Sequence, residues 1–377
     1  MAAFVARFAN LPRGRTRYFD EGPRDGRVVL VVHGFTQSAS TMSGLARGIV
    51  DATRFRVIWF DRYGDGLSAC PKRKHDLNLF VDQIEKLLAY CGITRDESLA
   101  GVIGSSLGAI VASYYAQVRP GRVERLVLFN PGGTTARLGL SYLLKNPLVL
   151  AAKLLYLLGR APGVGEVTVM LSQTVIRCLL YPMQPSVAKS RFSMSKSYAM
   201  LLLGLWLGLR AYKSMLVRIP AKLAAVYMIT GGLLRHRAVR KIAFEGFGLT
   251  KQSLAQWVAA FSKPNYRRSV LSTLRNVSML DDMTDIYAAV GKHPRPVLLV
   301  WGTRDSITPY ICSRNLMRVI PRANILEIPG AGHGPFMMKP KFCAATVSSF
   351  LQDLGPGKSA HAAKIWMPAP VASSVHG

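Results

Sequence analysis

The chain alternates between short, nearly continuous apolar runs and longer stretches whose apolar residues return every three or four positions. The runs are Arg27-Val-Val-Leu-Val-Val-His33, Phe55-Arg-Val-Ile-Trp-Phe60, Ser98 to Ile103, Arg125-Leu-Val-Leu-Phe129, Arg295-Pro-Val-Leu-Leu-Val-Trp301 and Ala323-Asn-Ile-Leu-Glu-Ile328. A β-branched apolar run without polar alternation predicts a strand buried on both faces. Arg17 to Glu21 predicts one more short strand. Helical spacing appears over 41–51, Leu77 to Cys91 (through Leu79, Ile84, Leu87 and Leu88), Ala109 to Gln117, Ser313 to Val319 and Lys341 to Leu351. Strands alternating with helices predict parallel βαβ units, and hence an α/β fold with helices on both faces of the sheet.

The rhythm stops at Thr134 and resumes after Met283. Nothing between them reads as a buried strand, and prolines at 147, 162, 182, 185, 220 and 264 break it into pieces. Several helices inserted into the parent fold are expected. The expected organisation is a first core part over 1–133, a helical cap over 134–289, a second core part over 290–354, and a tail over 355–377. That tail is rich in Ala, Pro, Ser and Gly without a period, and disorder is expected there. No internal repeat is present.

Composition sharpens the view of the insert. The 377 residues carry a formal net charge of +29 and are 50% hydrophobic, with a mean hydropathy of +0.20. Between Thr134 and Leu280 there are 21 Lys and Arg against two acids, Glu166 and Glu245. The longest apolar runs inside it, Ser197 to Leu209 and Leu223 to Leu234, are too short to span a bilayer simply and suit an interfacial or partly buried helix. The cysteines at 70, 91, 178, 312 and 343 are scattered and odd in number, which fits a reducing, intracellular compartment. The N-terminus has Arg7, Arg13, Arg15 and Arg17 before its first acid, Asp20. A mitochondrial transit segment is one reading of it, and a basic first strand is the preferred one.

Candidate chemistry gathers where predicted strands end, at His33-Gly34, Asp61, Ser106 and Asn130. Gly104-Ser105-Ser106-Leu107-Gly108 is a G-x-S-x-G pentapeptide between an apolar run and a helix. Small residues two before and two after a serine allow the tight strand-to-helix turn that projects a nucleophile. The Leu107 N–H would then face the same space at a helix N-terminus. Acyl transfer by serine also needs a base, an acid that orients the base, and donors for the oxyanion. Asp305 follows the strand ending at Trp301, and His333 lies in a Gly-rich loop after the last strand. A second oxyanion donor is available from the Phe35 N–H. Singly, Asp305 reads as a turn or cap residue, His333 as a loop residue, and His33 and Asp61 as structural. Three right residue types, in the order Ser, Asp, His, are what carry the reading.

On these residues the sequence resembles the α/β-hydrolase superfamily, in its branch with a helical cap inserted after the sixth core strand, close to monoacylglycerol lipase-like esterases. The resemblance covers about 17–133 and 290–352. It implies a mostly parallel eight-stranded sheet, a Ser106, Asp305, His333 triad, an oxyanion hole from the Phe35 and Leu107 amides, and the insert as lid. Asp61-Arg-Tyr-Gly-Asp-Gly-Leu-Ser68 resembles the family's D-x-R-G-x-G-x-S turn, with Tyr63 where Arg or Pro is usual. Epoxide hydrolases and haloalkane dehalogenases of this architecture carry Asp at the elbow, and Ser106 argues against both. The insert is longer and more basic than a usual cap.

The expected function is hydrolysis of a carboxylic ester of lipid-like character through an acyl-enzyme. Peripheral contact with an anionic membrane would run through the basic cap. Hydrolysis of a carbon–carbon bond in a small acidic diketone and a non-catalytic binding protein on the same fold are the alternatives. Nucleic acid competes as a partner on charge alone, without a recognition motif. No phosphate-binding loop, dinucleotide fingerprint or metal-spaced cluster occurs, so no cofactor is expected. The sequence carries no signal for an oligomeric state.

Overall fold

A computed structural model describes residues 4–135, 138, 260, 263–277, 282–352 and 365–366. The core elements are β1 (Arg7–Leu11), β2 (Gly14–Glu21), β3 (Val28–Val32), α1 (Ala39–Ala52), β4 (Arg56–Phe60), α2 (Leu77–Tyr90), β5 (Gly101–Ser105), α3 (Leu107–Val118) and β6 (Leu126–Phe129). After the insertion point come α4 (Tyr266–Asn276), α5 (Thr284–Gly291), β7 (Val297–Gly302), α6 (Ser313–Val319), β8 (Asn324–Ile328), α7 (Pro335–Met338), α8 (Pro340–Leu351) and β9 (Ile365–Trp366).

The strands form one sheet in the order β1-β2-β4-β3-β5-β6-β7-β8-β9. The six from β4 to β8 run parallel, β1 and β2 form an antiparallel hairpin at one edge, and β9 pairs antiparallel at the other. This is the expected α/β-hydrolase fold, with eight strands in a mostly parallel sheet and the two residues of β9 added beside β8. The basic N-terminal stretch enters the sheet as β1, paired with β2 from Arg7 opposite Tyr18 to Leu11 opposite Gly14.

The continuous apolar runs are explained by two cores, one on each face. Leu30 and Val32 of β3, Ile58 and Phe60 of β4, and Leu299 and Trp301 of β7 pack with α2 and α3. Their neighbours Val29, Val31, Val57, Trp59, Leu298 and Val300 pack with α1 and α8 on the other face. Burying each such side chain stabilises the fold by about 2 kcal/mol before conformational entropy is charged against it. One buried cation also ties the sheet's base together. Arg295, just before β7, donates to the carbonyls of Val123, Ala116 and Pro120 at 2.9, 3.1 and 3.0 Å. Burial lowers its pKa to about 10.

The chain leaves the sheet after β6 and returns at β7. Within that excursion α4 and α5 are described, whereas the apolar segments at 199–209 and 223–234, and most of 134–289, lie outside the described residues. The expected tail over 355–377 lies outside them too, apart from β9. Among the described residues no helix is long and apolar enough to cross a membrane.

Candidate active site

Ser106 sits between the end of β5 and the start of α3 with φ 53° and ψ −115°. A non-glycine residue in this region costs on the order of 1–3 kcal/mol and persists only where its surroundings hold it. Here the Ser106 N–H donates to the Phe129 carbonyl at 2.9 Å, and its own carbonyl accepts from Ala109 and Gly132 at 3.0 and 3.1 Å. The pentapeptide's glycines follow from close approach. A Cβ at Gly104 would overlap the Gly108 carbonyl, and one at Gly108 would overlap the carbonyls of Val32 and His33. Strand, elbow and helix can meet only if both positions lack a side chain.

The second wall is the loop after β3. Arg62 N–H donates to His33 Nε2 at 3.1 Å, so the His33 proton sits on Nδ1, where it meets the Gly34 carbonyl at 2.8 Å. Burial, followed by the Arg62 charge, holds His33 well below its usual pKa, in keeping with a neutral, structural ring. Gly34 N–H donates to Gln37 Oε1 and its carbonyl accepts from Arg62 Nη2. With the loop so fixed, neither the Phe35 nor the Leu107 N–H has an acceptor among the described residues. Two donors at the mouth of a nucleophile turn can stabilise a developing oxyanion.

Asp305 and His333 are brought into contact, with Nδ1 2.8 Å from Oδ2. Asp305 is further held by the N–H groups of Ile307 and Thr308 at 2.8 and 3.0 Å, the Thr308 hydroxyl at 2.8 Å and the Asn130 amide. The Arg304 N–H donates to the Ala331 carbonyl at 2.9 Å, tying the acid's loop to the histidine's. A carboxylate on Nδ1 fixes the imidazole with Nε2 as the proton acceptor. Ser106 lies on the same carboxyl edge, two strands away from Asp305 across β6. It is joined to that side through β6, since Phe129 takes the Ser106 N–H and the next residue, Asn130, donates to Asp305. The Ser106 hydroxyl itself makes no hydrogen bond among the described residues, so its approach to His333 Nε2 is not made in this geometry. Such contacts are often loose before substrate arrives.

Sequence reasoning found the strand end at Asn130 without its role, and missed Thr308 altogether. A polar residue closing an apolar strand was the only available signal. It also missed Tyr287 of α5, whose hydroxyl donates to the Gly132 carbonyl at 2.7 Å and steadies the backbone beside Ser106. Asp61 proves structural, accepting from Ala39 and Leu67 N–H at 2.6 and 2.7 Å. In the same turn burial pushes Asp65 up to about 6, against the pull of Arg62 Nη2 at 2.8 Å. Lys263 closes the turn, donating to the carbonyls of Asp65 and Ser68 at 3.0 and 2.7 Å.

The Alpha/beta hydrolase family profile matches residues 28–346. The chain belongs to the alpha/beta hydrolase family. As an alpha/beta hydrolase it has a relative of similar extent in an uncharacterized protein of Mycobacterium tuberculosis, 23% identical over 351 residues that span 90% of this chain and 79% of that one. A loop variant of a haloalkane dehalogenase from Bradyrhizobium elkanii superposes with a TM-score of 0.64 at 14% identity, over 93% of this chain and 97% of the other. A membrane phospholipase A described as a bacterial virulence factor superposes with a TM-score of 0.57 at 17% identity, over 93% and 86%. At these identities the alpha/beta hydrolase fold is what the solved structures share with it.

Proposed function

We propose that this alpha/beta hydrolase is a serine hydrolase of lipid-like carboxylic esters. The observation that carries the reading is the Asp305–His333 contact at 2.8 Å on the same sheet edge as Ser106. In this reading Ser106 Oγ attacks the ester carbonyl carbon while His333 Nε2 takes the hydroxyl proton. The carbonyl oxygen becomes an oxyanion against the Phe35 and Leu107 amides, each worth about 3 kcal/mol if it behaves as typical donors do. Collapse expels the alcohol, which receives the proton from His333 and leaves an acyl-Ser106. Water, deprotonated by the same imidazole, releases the acid. Asp305 holds the imidazolium throughout.

Ser106 in place of an elbow aspartate argues against dehalogenation, despite the dehalogenase-like fold. The strongly basic, Leu- and Met-rich insert supports an amphiphilic ester and peripheral contact with an anionic membrane, and a phospholipase among the fold's neighbours is of a kind with it. The test is a series of esters of rising acyl length, run beside a small acidic diketone. Turnover should rise with chain length and fall by about 10⁶-fold in Ser106→Ala, where a triad acts as a unit. Undiminished ester hydrolysis by that variant, or turnover of the diketone alone, contradicts the reading.

A further inference from the structure

One cavity is defined by charge. It has a volume of about 530 Å³ and lies between the Lys72-Arg73-Lys74 segment and α4, which contributes Arg267, Arg268 and Arg275. No acidic residue lines it among the described residues. Lys74 has a loose partner in Asp76 at 3.8 Å, and Asp76 is already committed to capping α2 by accepting from the Leu79 N–H at 3.0 Å. Lys72, Arg73, Arg267 and Arg268 are exposed and form no ion pair with a described residue.

The cavity is built rather than accidental. The His75 N–H donates to Ser272 Oγ at 2.9 Å, fastening the cationic segment to α4 across 197 positions of sequence. Asn276 Nδ2 donates to the Ser272 carbonyl at 2.6 Å on the same face. Arg268 and Arg275 are seven positions apart, about two helical turns, so they project from one side of α4. Folding thus gathers like charges from two distant segments into one concavity. Their mutual repulsion costs stability unless an anion enters, and a concave wall of one sign concentrates such anions. Guanidinium forks match the oxygen geometry of phosphate. The volume suits a single small group and not the extended track of a nucleic acid.

We propose that this groove is a binding site for a phosphomonoester or diphosphate group, carried by a lipid headgroup or by a soluble molecule. It uses none of Ser106, Asp305 or His333, so it stands apart from the ester chemistry and can be tested in the Ser106→Ala chain. The experiment titrates that full-length chain with inorganic pyrophosphate by calorimetry. In parallel it sediments the chain with phosphatidylcholine vesicles with and without phosphatidic acid. Pyrophosphate should bind saturably. Arg267→Gln combined with Arg268→Gln should weaken it about thirtyfold, at about fivefold for each cation near an anionic group. Lys72→Gln with Arg73→Gln, on the opposite wall, should do the same, which covers the case where one pair misfolds. Vesicle binding that needs phosphatidic acid and is displaced by pyrophosphate assigns the group to a headgroup. Pyrophosphate binding without groove-dependent vesicle binding assigns it to a soluble molecule. Absence of saturable binding to either probe, affinity in both paired variants unchanged from that of the Ser106→Ala parent, or tighter binding of RNA that grows with oligomer length overturns the proposal.

Discussion

The carboxyl edge of the sheet and the groove beside α4 treat charge in opposite ways. At the edge, Asp305 accepts from five donors, counting His333, Ile307, Thr308 twice and Asn130, so the acid is fully surrounded. In the groove, four exposed cations have no counter-charge among the described residues. A carboxylate held on every side by the protein's own donors is preorganised, and little must move for it to orient a base. Cations held together without partners among the described residues have electrostatic work left to do, and a bound anion would complete it. Internal pairing is what orienting a base requires, and the proposed phosphate site differs in lacking it among the described residues.

The largest expected effect comes from breaking the first of these. Asp305→Asn keeps the shape but leaves His333 free to carry its proton on the wrong nitrogen. Turnover should fall by about 10⁴-fold, while the buried donor left without an acceptor should cost the fold only about 1–3 kcal/mol. A loss below tenfold would mean that the acid does not orient the base.

A smaller effect sharpens the edge's account through Asp65. Its folded pKa of about 6 lies above the ordinary carboxyl value of 3.8, because burial opposes the charged form. The folded state therefore binds the proton more tightly than the unfolded one, and this group's contribution to stability falls as pH rises from 3.8 through about 6. His33, held neutral by burial, works in the opposite sense near its usual value. The difference between Asp65→Asn and wild type isolates the carboxyl. Denaturation across that window should show the variant gaining on wild type with rising pH, by up to about 2–3 kcal/mol. A constant difference would contradict the buried charge. Smallest of all is the effect of the groove pairs on folding. Arg267→Gln with Arg268→Gln should shift stability by less than about 0.5 kcal/mol, as exposed substitutions do. A large loss would show that these cations are structural after all.

Much of this was legible from sequence, for reasons particular to each element. β3, β4, β6 and β7 are covered on both faces, so their apolar runs are unbroken and easy to read. The elbow is legible because close packing demands Gly104 and Gly108. β1, Arg-Phe-Ala-Asn-Leu, was not traced as an element beyond the suggestion of a basic first strand, because an edge strand has no such run. What stayed hidden depends on distant pairing. Lys263 reaches Asp65 across 198 positions, Asn130 reaches Asp305 across 175, and the groove joins His75 to Ser272 across 197. No local pattern records such meetings.

The most direct measurement is the rate of covalent labelling by a fluorophosphonate, read by intact mass and peptide mapping, in wild type, Ser106→Ala and His333→Ala. A working triad predicts one adduct per chain, on Ser106, absent in the first variant and formed orders of magnitude more slowly in the second. An adduct on another residue, or labelling at the wild-type rate without the imidazole, would contradict it.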